Sequence, residues 1–329
     1  MLREKSSLRT NMGRFLKITY ATLLTLLSVS CVDSSVNNET PHTRAGDDAR
    51  RLFFSERFVA VDVTYDRRLL ARVEPYNPKN PVYVFPIFVH DLQTGQKKVV
   101  TERAYYPVFS PDGEWIAYQK AVGYGDLWLV KSDGSSDRPL VEFPGMETPT
   151  SWSPDGKKIL FHTSPLDDEI WYYDLEENAP YLVFDGGVTF PHITLSPVWA
   201  PSSDELYFCR EFTKGAAISR INVNGNGLVD IWRYDPTVYA VDIKPALPYY
   251  DRLLLTVTET ANNQGEIEKR VAVWSFGLKE RDFVQLTYNE NPPRIRDAAL
   301  RLCPGNVLVF ASDYLDENDK TGLYVIKTP

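Results

Sequence analysis

The sequence is poor in the residues on which many catalytic and metal sites depend. Only four His and three Cys occur among its 329 residues, and no Gly-x-Ser-x-Gly motif marks the nucleophile of a serine hydrolase. Beyond residue 50, no stretch repeats apolar residues with a helical period. We therefore predict an all-β chain that is not an enzyme and that has no catalytic residues.

Basic residues are outnumbered by acidic ones, 36 to 44. The formal net charge is −8, and residues 1–30 alone carry +4, which leaves −12 for residues 31–329. A domain with this charge would repel a phosphate backbone, so we expect no nucleic acid partner. A neutral, basic or cationic partner is compatible with it.

Aromatic residues, Pro and Gly are plentiful by contrast. The chain has 19 Tyr, 16 Phe and 7 Trp, together with 23 Pro and 18 Gly. Aromatic side chains favour strands, whereas Pro and Gly favour tight turns. The composition therefore predicts many short strands joined by turns.

The N-terminus has the pattern of an export signal. Basic residues up to Lys17 precede the apolar run 18–27, and a region of small residues follows. Val29-Ser30-Cys31 resembles the end of a bacterial lipoprotein signal, which implies that Cys31 is lipidated. Cleavage nearby without lipidation is the alternative.

This pattern divides the chain into three parts. We predict a signal peptide over residues 1–30, a lipidated Cys and flexible tether over 31–50, and a folded domain over 51–329. The tether has almost no apolar residues with which to offset the entropy of ordering. We expect an exported protein in the periplasm, or at the outer membrane or cell surface, held to the membrane through the lipid.

A repeated turn motif dominates the folded part. Ser-Pro-Asp-Gly occurs at residues 110–113 and again at 153–156, each time before an apolar run. Pro presets φ in such a turn, Asp caps it, and Gly takes the positive-φ position. The turn prolines recur every 43 to 56 residues, which is the size of a four-stranded propeller blade. Weaker copies occupy 63–70, 196–208, 247–255 and 303–310.

The repeat count predicts a β-propeller of six blades, although seven are compatible with the spacing. The last repeat reaches only its third strand, and unpaired blade edges are unfavourable. We predict that residues 51–55 supply the missing strand and close the ring.

The repeat resembles a known family. The sequence Trp-Ser-Pro-Asp-Gly-Lys-Lys-Ile-x-Phe of residues 152–161 is similar to the repeat of TolB and its relatives, and the likeness extends over 51–329. It implies an exported β-propeller but no single function. TolB has an additional α/β domain before its propeller, and we expect this chain to lack it because residues 31–50 leave no room.

Function is expected on the face opposite the Ser-Pro-Asp-Gly turns. That face receives the longer loops 119–125, 163–169, 210–217, 258–269 and 312–320, together with the connections between blades. Several of these loops are acidic, which favours a basic partner or, more weakly, calcium or another divalent cation. We expect no cofactor and no metal ligands. The predicted partner-binding residues are Asp126, Asp167, Asp168, Glu169, Glu211, Asp313, Asp316 and Asp319.

The sequence thus predicts a non-enzymatic envelope scaffold that binds a protein or peptide on its acidic face, as a monomer or within a hetero-complex. One alternative is a carbohydrate-active enzyme similar to metal-dependent lyases, with His162 and His192 as ligands. The other is a purely structural component of an envelope complex.

Overall fold

The computed structural model describes the chain in separate stretches. These are residues 50–55, 60–73, 85–121, 123, 125–164, 169–186, 194–211, 216–233, 242–244, 251–262, 267–286, 301–303, 307–312 and 321–327. They contain strands and turns but no helix, and hence no helix long and apolar enough to cross a membrane.

Twenty-four strands occur in these stretches, and they form six four-stranded sheets. The first sheet contains β2 (Ala60–Val63), β3 (Leu69–Val73), β4 (Ile87–Asp91) and β5 (Lys97–Thr101), and the second contains β6 (Ala104–Phe109), β7 (Trp115–Lys120), β8 (Asp126–Lys131) and β9 (Arg138–Val141). The third contains β10 (Met146–Trp152), β11 (Lys158–Ser164), β12 (Glu169–Asp174) and β13 (Ala179–Asp185), and the fourth contains β14 (Thr194–Trp199), β15 (Glu205–Glu211), β16 (Ala216–Asn222) and β17 (Val229–Arg233). The fifth contains β18 (Asp242–Lys244), β19 (Arg252–Asn262), β20 (Ile267–Gly277) and β21 (Phe283–Gln285), and the last joins β1 (Arg50–Ser55) to β22 (Arg301–Cys303), β23 (Val307–Ser312) and β24 (Thr321–Lys327).

The sheets are the blades of a β-propeller. Each of the first five is an antiparallel meander in chain order, and the first strands β2, β6, β10, β14 and β18 contact one another in sequence. The prediction of an all-β propeller is confirmed. The number of blades in the closed ring stays a prediction, because connections between several sheets lie outside the described residues.

The last sheet combines the two ends of the folded part. β1 pairs antiparallel with β24, with Arg50 opposite Val325 and Ser55 opposite Thr321. Residues 51–55 therefore supply a strand to the last blade, as the strand count predicted. Pairing of this kind satisfies backbone groups of β24 that would otherwise form an exposed edge.

Apolar side chains pack between neighbouring sheets. Ala117, Leu127 and Leu129 of the second sheet meet Ile159 and Phe161 of the third in one buried cluster. Side chains alternate along each strand, so the second, third and fourth sheets each contribute one apolar row to the sheet before and another to the sheet after. The blades are held together mainly by these rows.

The Ser-Pro-Asp-Gly turns share one hydrogen-bond pattern. The hydroxyl of Ser153 donates to Asp155 Oδ1 at 2.6 Å and accepts from the backbone N–H of Lys158 at 2.8 Å. Asp155 Oδ1 also accepts from the N–H of Lys157 at 3.0 Å. The same three bonds recur at Ser110 and Asp112, and at Thr64 and Asp66 in the copy without Pro.

One loop is shorter than predicted. Residues 258–269 were expected to be a loop, but β19 continues to Asn262 and β20 begins at Ile267, with Thr258 opposite Val271. The β-branched residues Thr256, Val257 and Thr258 favour an extended strand, which explains why the hairpin continues beyond the length of its counterparts.

Candidate functional site

The predicted partner-binding residues fall into two groups. Asp126, Glu169 and Glu211 lie at the ends of β8, β12 and β15 that are remote from the Ser-Pro-Asp-Gly turns, as expected. The others lie outside the described residues, and their role stays a prediction; these are Asp167, Asp168, Asp313, Asp316 and Asp319. Cys31, the predicted lipidation site, also lies outside the described residues.

Glu147, which the sequence did not single out, is the most unusual carboxylate in the described part of the chain. It lies in β10, at the end remote from the turns, and its side chain is fully buried. Neither carboxylate oxygen has a hydrogen-bond partner of normal geometry. Its backbone N–H donates to the carbonyl of Gly125 at 2.9 Å, which ties the third sheet to the second.

Burial raises the pKa of Glu147 to about 8. The backbone N–H of Phe143 partly opposes this change, and the negative charge of Asp126 adds to it. A buried carboxyl group without a countercharge favours its neutral form. Glu147 is therefore largely protonated at neutral pH.

Comparison of the repeats shows why this position is exceptional. Glu147 is opposite Thr163 across β10 and β11, as Ala104 is opposite Lys120 and Thr194 is opposite Arg210 in the neighbouring sheets. Ala104 is buried in an apolar cluster. The fold therefore accepts a small apolar residue here, and an alignment of the repeats could have identified the substitution by Glu.

Asp126 lies near Glu147, and Glu142 lies near Asp126. Burial and the charge of Glu142 raise the pKa of Asp126, and Asp126 in turn acts on Glu147. None of the three forms an ion pair with any described residue. Lys120 is opposite Asp126 in the ladder, but its ammonium pairs with Asp137 at 3.3 Å instead. Glu142, Asp126 and Glu147 lie at the junction where the second and third sheets meet.

Glu169 has a different environment. Its Oε2 accepts from Trp171 Nε1 at 2.8 Å and from Thr163 Oγ1 at 3.4 Å. Trp171 also contacts Phe143, with ring centroids 5.0 Å apart. Glu169 is thus held by the third sheet, and its carboxylate is less available to a partner than the sequence suggested.

Polar and small residues line the junction on the side of the second sheet. The buried Gln119 donates from Nε2 to Thr148 Oγ1 at 3.1 Å. Gly125 adopts a φ of +109°, and a Cβ there would lie 3.2 Å from Gln119 Nε2 and 3.4 Å from Met146 Cγ. Only glycine permits this close approach of the loop to β10.

His162 does not join the carboxylates. Its neighbour in the ladder is Ile170, which belongs to the apolar cluster between the third and fourth sheets. Because side chains alternate, His162 and Thr163 face opposite sides of the third sheet. His192 lies outside the described residues. Among the residues that are described, no group of three or more His, Cys, Asp or Glu is arranged to hold a metal ion.

Tyr106 is a second residue that sequence reasoning missed. It lies in β6, the first strand of the second sheet, and 51% of its side chain is exposed. Its φ is +50°, at an irregularity in the pairing between Tyr105 and Val108. A bulky residue with positive φ is strained, and such strain is common at functional positions.

The sequence comparisons found a partial relative of the chain. No protein-family profile matches the chain. An uncharacterized protein of Agrobacterium fabrum is 29% identical over 144 residues, which cover 39% of this chain and 48% of that protein. The chain therefore spans about half the length of this curated relative.

Solved structures show the fold. The protein proposed to be TolB in Agrobacterium tumefaciens has a TM-score of 0.57 and 18% identity, and the match covers 83% of this chain and 91% of that one. TolB from Acinetobacter baumannii has a TM-score of 0.54 and 16% identity over 71% of this chain and 55% of its own. The chain folds as a TolB-like β-propeller.

An oligogalacturonate lyase in complex with manganese, at 13% identity, has a TM-score of 0.55 over 85% of this chain and 93% of that one. At such identities the TolB-like fold is shared, whereas activity does not follow from it.

Proposed function

We propose that this TolB-like propeller is a non-enzymatic scaffold of the bacterial envelope, which binds a basic protein or peptide on the face opposite its Ser-Pro-Asp-Gly turns. The signal-like segment 1–30 and the lipoprotein-like Cys31 support export and a membrane anchor. A net charge of −12 over residues 31–329 favours a basic partner.

The distribution of paired and unpaired carboxylates carries the proposal. At the turn end of the third sheet, Asp155 accepts two hydrogen bonds, and Asp174 and Glu176 pair with lysines. At the other end, no described residue forms an ion pair with Asp126, Glu142 or Glu147. Asp126 and Glu142 therefore leave negative charge at this end without a countercharge among the described residues, which complements a positive partner, whereas the buried and protonated Glu147 adds no surface charge.

Charge reversal on each face tests the proposal. The purified chain would be immobilised and exposed to envelope extract, with Asp167→Lys/Asp168→Lys and Asp313→Lys/Asp316→Lys as acidic-face variants. Glu114→Lys/Glu176→Lys, at two exposed carboxylates near the turn ends of the second and third sheets, is the control of equal charge change. We expect one protein to be retained by the wild type and the control and lost by the acidic-face variants. Retention that is equal in all variants would reject the proposal.

The lyase alternative requires a metal-binding cluster. Its described histidine, His162, faces the side of the third sheet opposite to Glu147 and Glu169, which gives the alternative no support from this region. It remains a prediction for the region around His192. Measurement of bound metal in the wild type and in a His162→Ala/His192→Ala variant would test it, and a loss of metal in the variant would favour the enzyme.

A further inference from the structure

We propose that Asn226 is a site of spontaneous deamidation, at which the backbone nitrogen of Gly227 attacks the side-chain amide. The inference goes beyond the proposed function, because it concerns a covalent change in the turn between β16 and β17 and not the face that binds a partner. The sequence has two Asn-Gly pairs, 224–225 and 226–227, and both lie in this turn. Their environments differ, and the difference favours reaction at the second pair.

The reaction needs a backbone nitrogen and a side-chain amide that can meet. The nitrogen of the residue after Asn forms a bond to Cγ, the bond from Cγ to Nδ2 breaks, and the proton of the attacking N–H leaves with the amide as ammonia. Water then opens the cyclic succinimide at either carbonyl, which gives Asp or isoaspartate. Glycine favours the attack because it has no side chain to hinder the nitrogen. The reaction therefore requires only the chain and water.

The first pair is restrained at both reacting groups. The N–H of Gly225 donates to the carbonyl of Asn222 at 2.9 Å. Oδ1 of Asn224 accepts from the N–H of Asn226 at 3.0 Å, which fixes the side chain in a local turn. Attack by Gly225 would have to break the first of these hydrogen bonds and reorient the side chain that makes the second.

The second pair has neither restraint. Within the described part of the chain, no residue accepts a hydrogen bond from the N–H of Gly227, and none forms one with the side-chain amide of Asn226. Both residues are exposed, so water reaches the reacting groups. The φ angles of Gly225 and Gly227 are similar, +82° and +72°, so the two pairs differ in hydrogen bonding and not in the region of backbone conformation.

The Asp-Gly pairs of other turns share the pattern of the first pair. In 112–113, 133–134 and 155–156, the glycine N–H donates to the carbonyl of the residue three positions earlier, as that of Gly225 does. The aspartate Oδ1 of each pair accepts from the N–H two residues further on, as that of Asn224 does. The pair at 226–227 follows a turn that is already complete, and it lacks both of these hydrogen bonds.

Deamidation would alter the contact between the third and fourth sheets. The turn lies against β13, since a Cβ on Gly225 would be 2.9 Å from the carbonyl oxygen of Val183. The N–H of Asn222 closes the turn by donating to the carbonyl of Asn226 at 2.9 Å. Isoaspartate routes the main chain through the side-chain carbons of residue 226, and the former backbone carbonyl becomes a free carboxylate. The acceptor that closes the turn is then displaced, and a negative charge is added at the turn end.

The test follows both asparagines in one sample. The purified chain would be kept folded at pH 8 and 37 °C in water enriched in oxygen-18, so that each hydrolysed succinimide carries the label. Peptide mapping by mass spectrometry then gives the rate at each residue, and a parallel sample in urea is the unfolded reference. Asn226→Gln and Asn224→Gln are the matched variants for ion-exchange chromatography, because glutamine cyclises much more slowly than asparagine.

In the folded chain we expect Asn226 to react at least about tenfold faster than Asn224, the ratio that one protecting hydrogen bond supplies. In urea the two rates should approach each other, because the hydrogen bonds of the turn are lost. A more acidic species should accumulate in the wild type and in Asn224→Gln but not in Asn226→Gln.

Any of three results would overturn the inference. Equal rates at the two asparagines in the folded chain, or no label at Asn226, would show that the hydrogen bonds of the turn do not determine where deamidation occurs. A ratio of rates that is the same in urea as in the folded chain would show that the flanking sequence, and not the structure, determines it.

Discussion

The two ends of the third sheet differ in how their polar groups are satisfied. At the turn end, Ser153 and Asp155 satisfy each other and two backbone N–H groups within five residues of chain. At the opposite end, Glu147 is buried without a hydrogen bond of normal geometry to its carboxyl oxygens, and the negative charge of Asp126 disfavours its ionisation. The turn end repeats in the first and second sheets, whereas a carboxylate at the position of Glu147 does not.

The residues that build the repeated turn and the residue that is a candidate for function therefore lie at opposite ends of the sheet. A turn that satisfies its own polar groups can be copied from blade to blade, because it depends on nothing outside itself. A buried carboxyl group that lacks a partner lowers stability, and it is the kind of local conflict that proteins retain at functional sites. The four predictions that follow compare the two ends, beginning with the largest expected effect.

The first prediction concerns the pH dependence that Glu147 imposes on stability. Its pKa in the folded chain, about 8, lies above the ordinary value of 4.5, so the folded state binds the proton more tightly than the unfolded state. The contribution is fully present below pH 4.5 and is lost as the pH rises toward 8. We expect the wild type to lose about 2–4 kcal/mol of unfolding free energy between pH 5 and pH 9 through this group.

Glu147→Gln should remove that loss. Urea unfolding at pH 5, 7 and 9 would show the variant gaining stability relative to the wild type as the pH rises, by about 2–4 kcal/mol at pH 9. Glu114→Gln should follow the wild type at every pH. If the unfolding free energies of wild type and Glu147→Gln change with pH in parallel, Glu147 has an ordinary pKa. The two ends of the sheet would then not differ in the pH dependence of their stability.

The second prediction tests the turn end with two equivalent glycines. Gly113 and Gly156 both have a φ of +74°, but a Cβ on Gly113 would lie 2.9 Å from Thr64 Cγ2, whereas one on Gly156 would meet nothing closer than 3.8 Å. Gly156→Ala should cost about 1 kcal/mol for the left-handed backbone alone. Gly113→Ala should cost about 2 kcal/mol or more, because Thr64 must also move.

Thermal and urea unfolding of the two variants would measure the difference. Equal losses of unfolding free energy in the two variants would show that the side chain of Thr64 moves aside at no cost. Thr64 is hydrogen-bonded to Asp66 and Leu69, so we expect it to resist.

The features that repeat were predictable from the sequence. The Pro, Asp and Gly of residues 111–113 each have a local physical reason to be in that turn, and the motif recurs often enough to set the blade length. The pairing of β1 with β24 followed from the same count of strands. These inferences use only short stretches of chain and the rule that blade edges must be paired.

The candidate site was only partly predictable. Asp126 was found because the topology places loop residues on one face, but its relation to Glu142 and Glu147 depends on how two sheets pack. Glu147 lies within a strand. The alternation of side chains along a strand predicts which face of the sheet a residue lies on, but it does not predict which residues of the neighbouring sheet it meets. Glu169 looked like a free loop carboxylate, and only the position of Trp171 shows that it is engaged.

The third prediction removes a capping group from the turn end. Asp155→Ala takes away the acceptor for the Ser153 hydroxyl and the Lys157 N–H, which should lower the unfolding free energy by about 1 kcal/mol. Burial raises the pKa of Asp155, but these hydrogen bonds lower it by more, so the pKa lies below its usual value. The stabilisation that the ionised Asp155 gives to the fold is therefore present above pH 3.8 and declines as the pH falls below 3.8. The stability difference between wild type and Asp155→Ala should narrow in acid, opposite to the trend at Glu147, and a constant difference from pH 2 to pH 7 would contradict the prediction.

The smallest effect is expected where the turn motif has lost its glycine. In the fourth sheet Ser203 occupies the place of Gly113 and Gly156, with a φ of +62°, and its N–H donates to the carbonyl of Ala200 as the glycines' N–H groups do to Ser110 and Ser153. Ser203→Gly should therefore keep the turn and relieve the strained backbone, which raises the unfolding free energy by about 0.5–1 kcal/mol after the greater entropy of an unfolded glycine is included. The matched variant is Ser203→Ala, which keeps the strain and should leave stability nearly unchanged. If Ser203→Gly is instead less stable than Ser203→Ala, backbone strain does not limit this turn. The left-handed backbone that makes glycine favourable at 113 and 156 would then not explain how the turn accepts serine at 203.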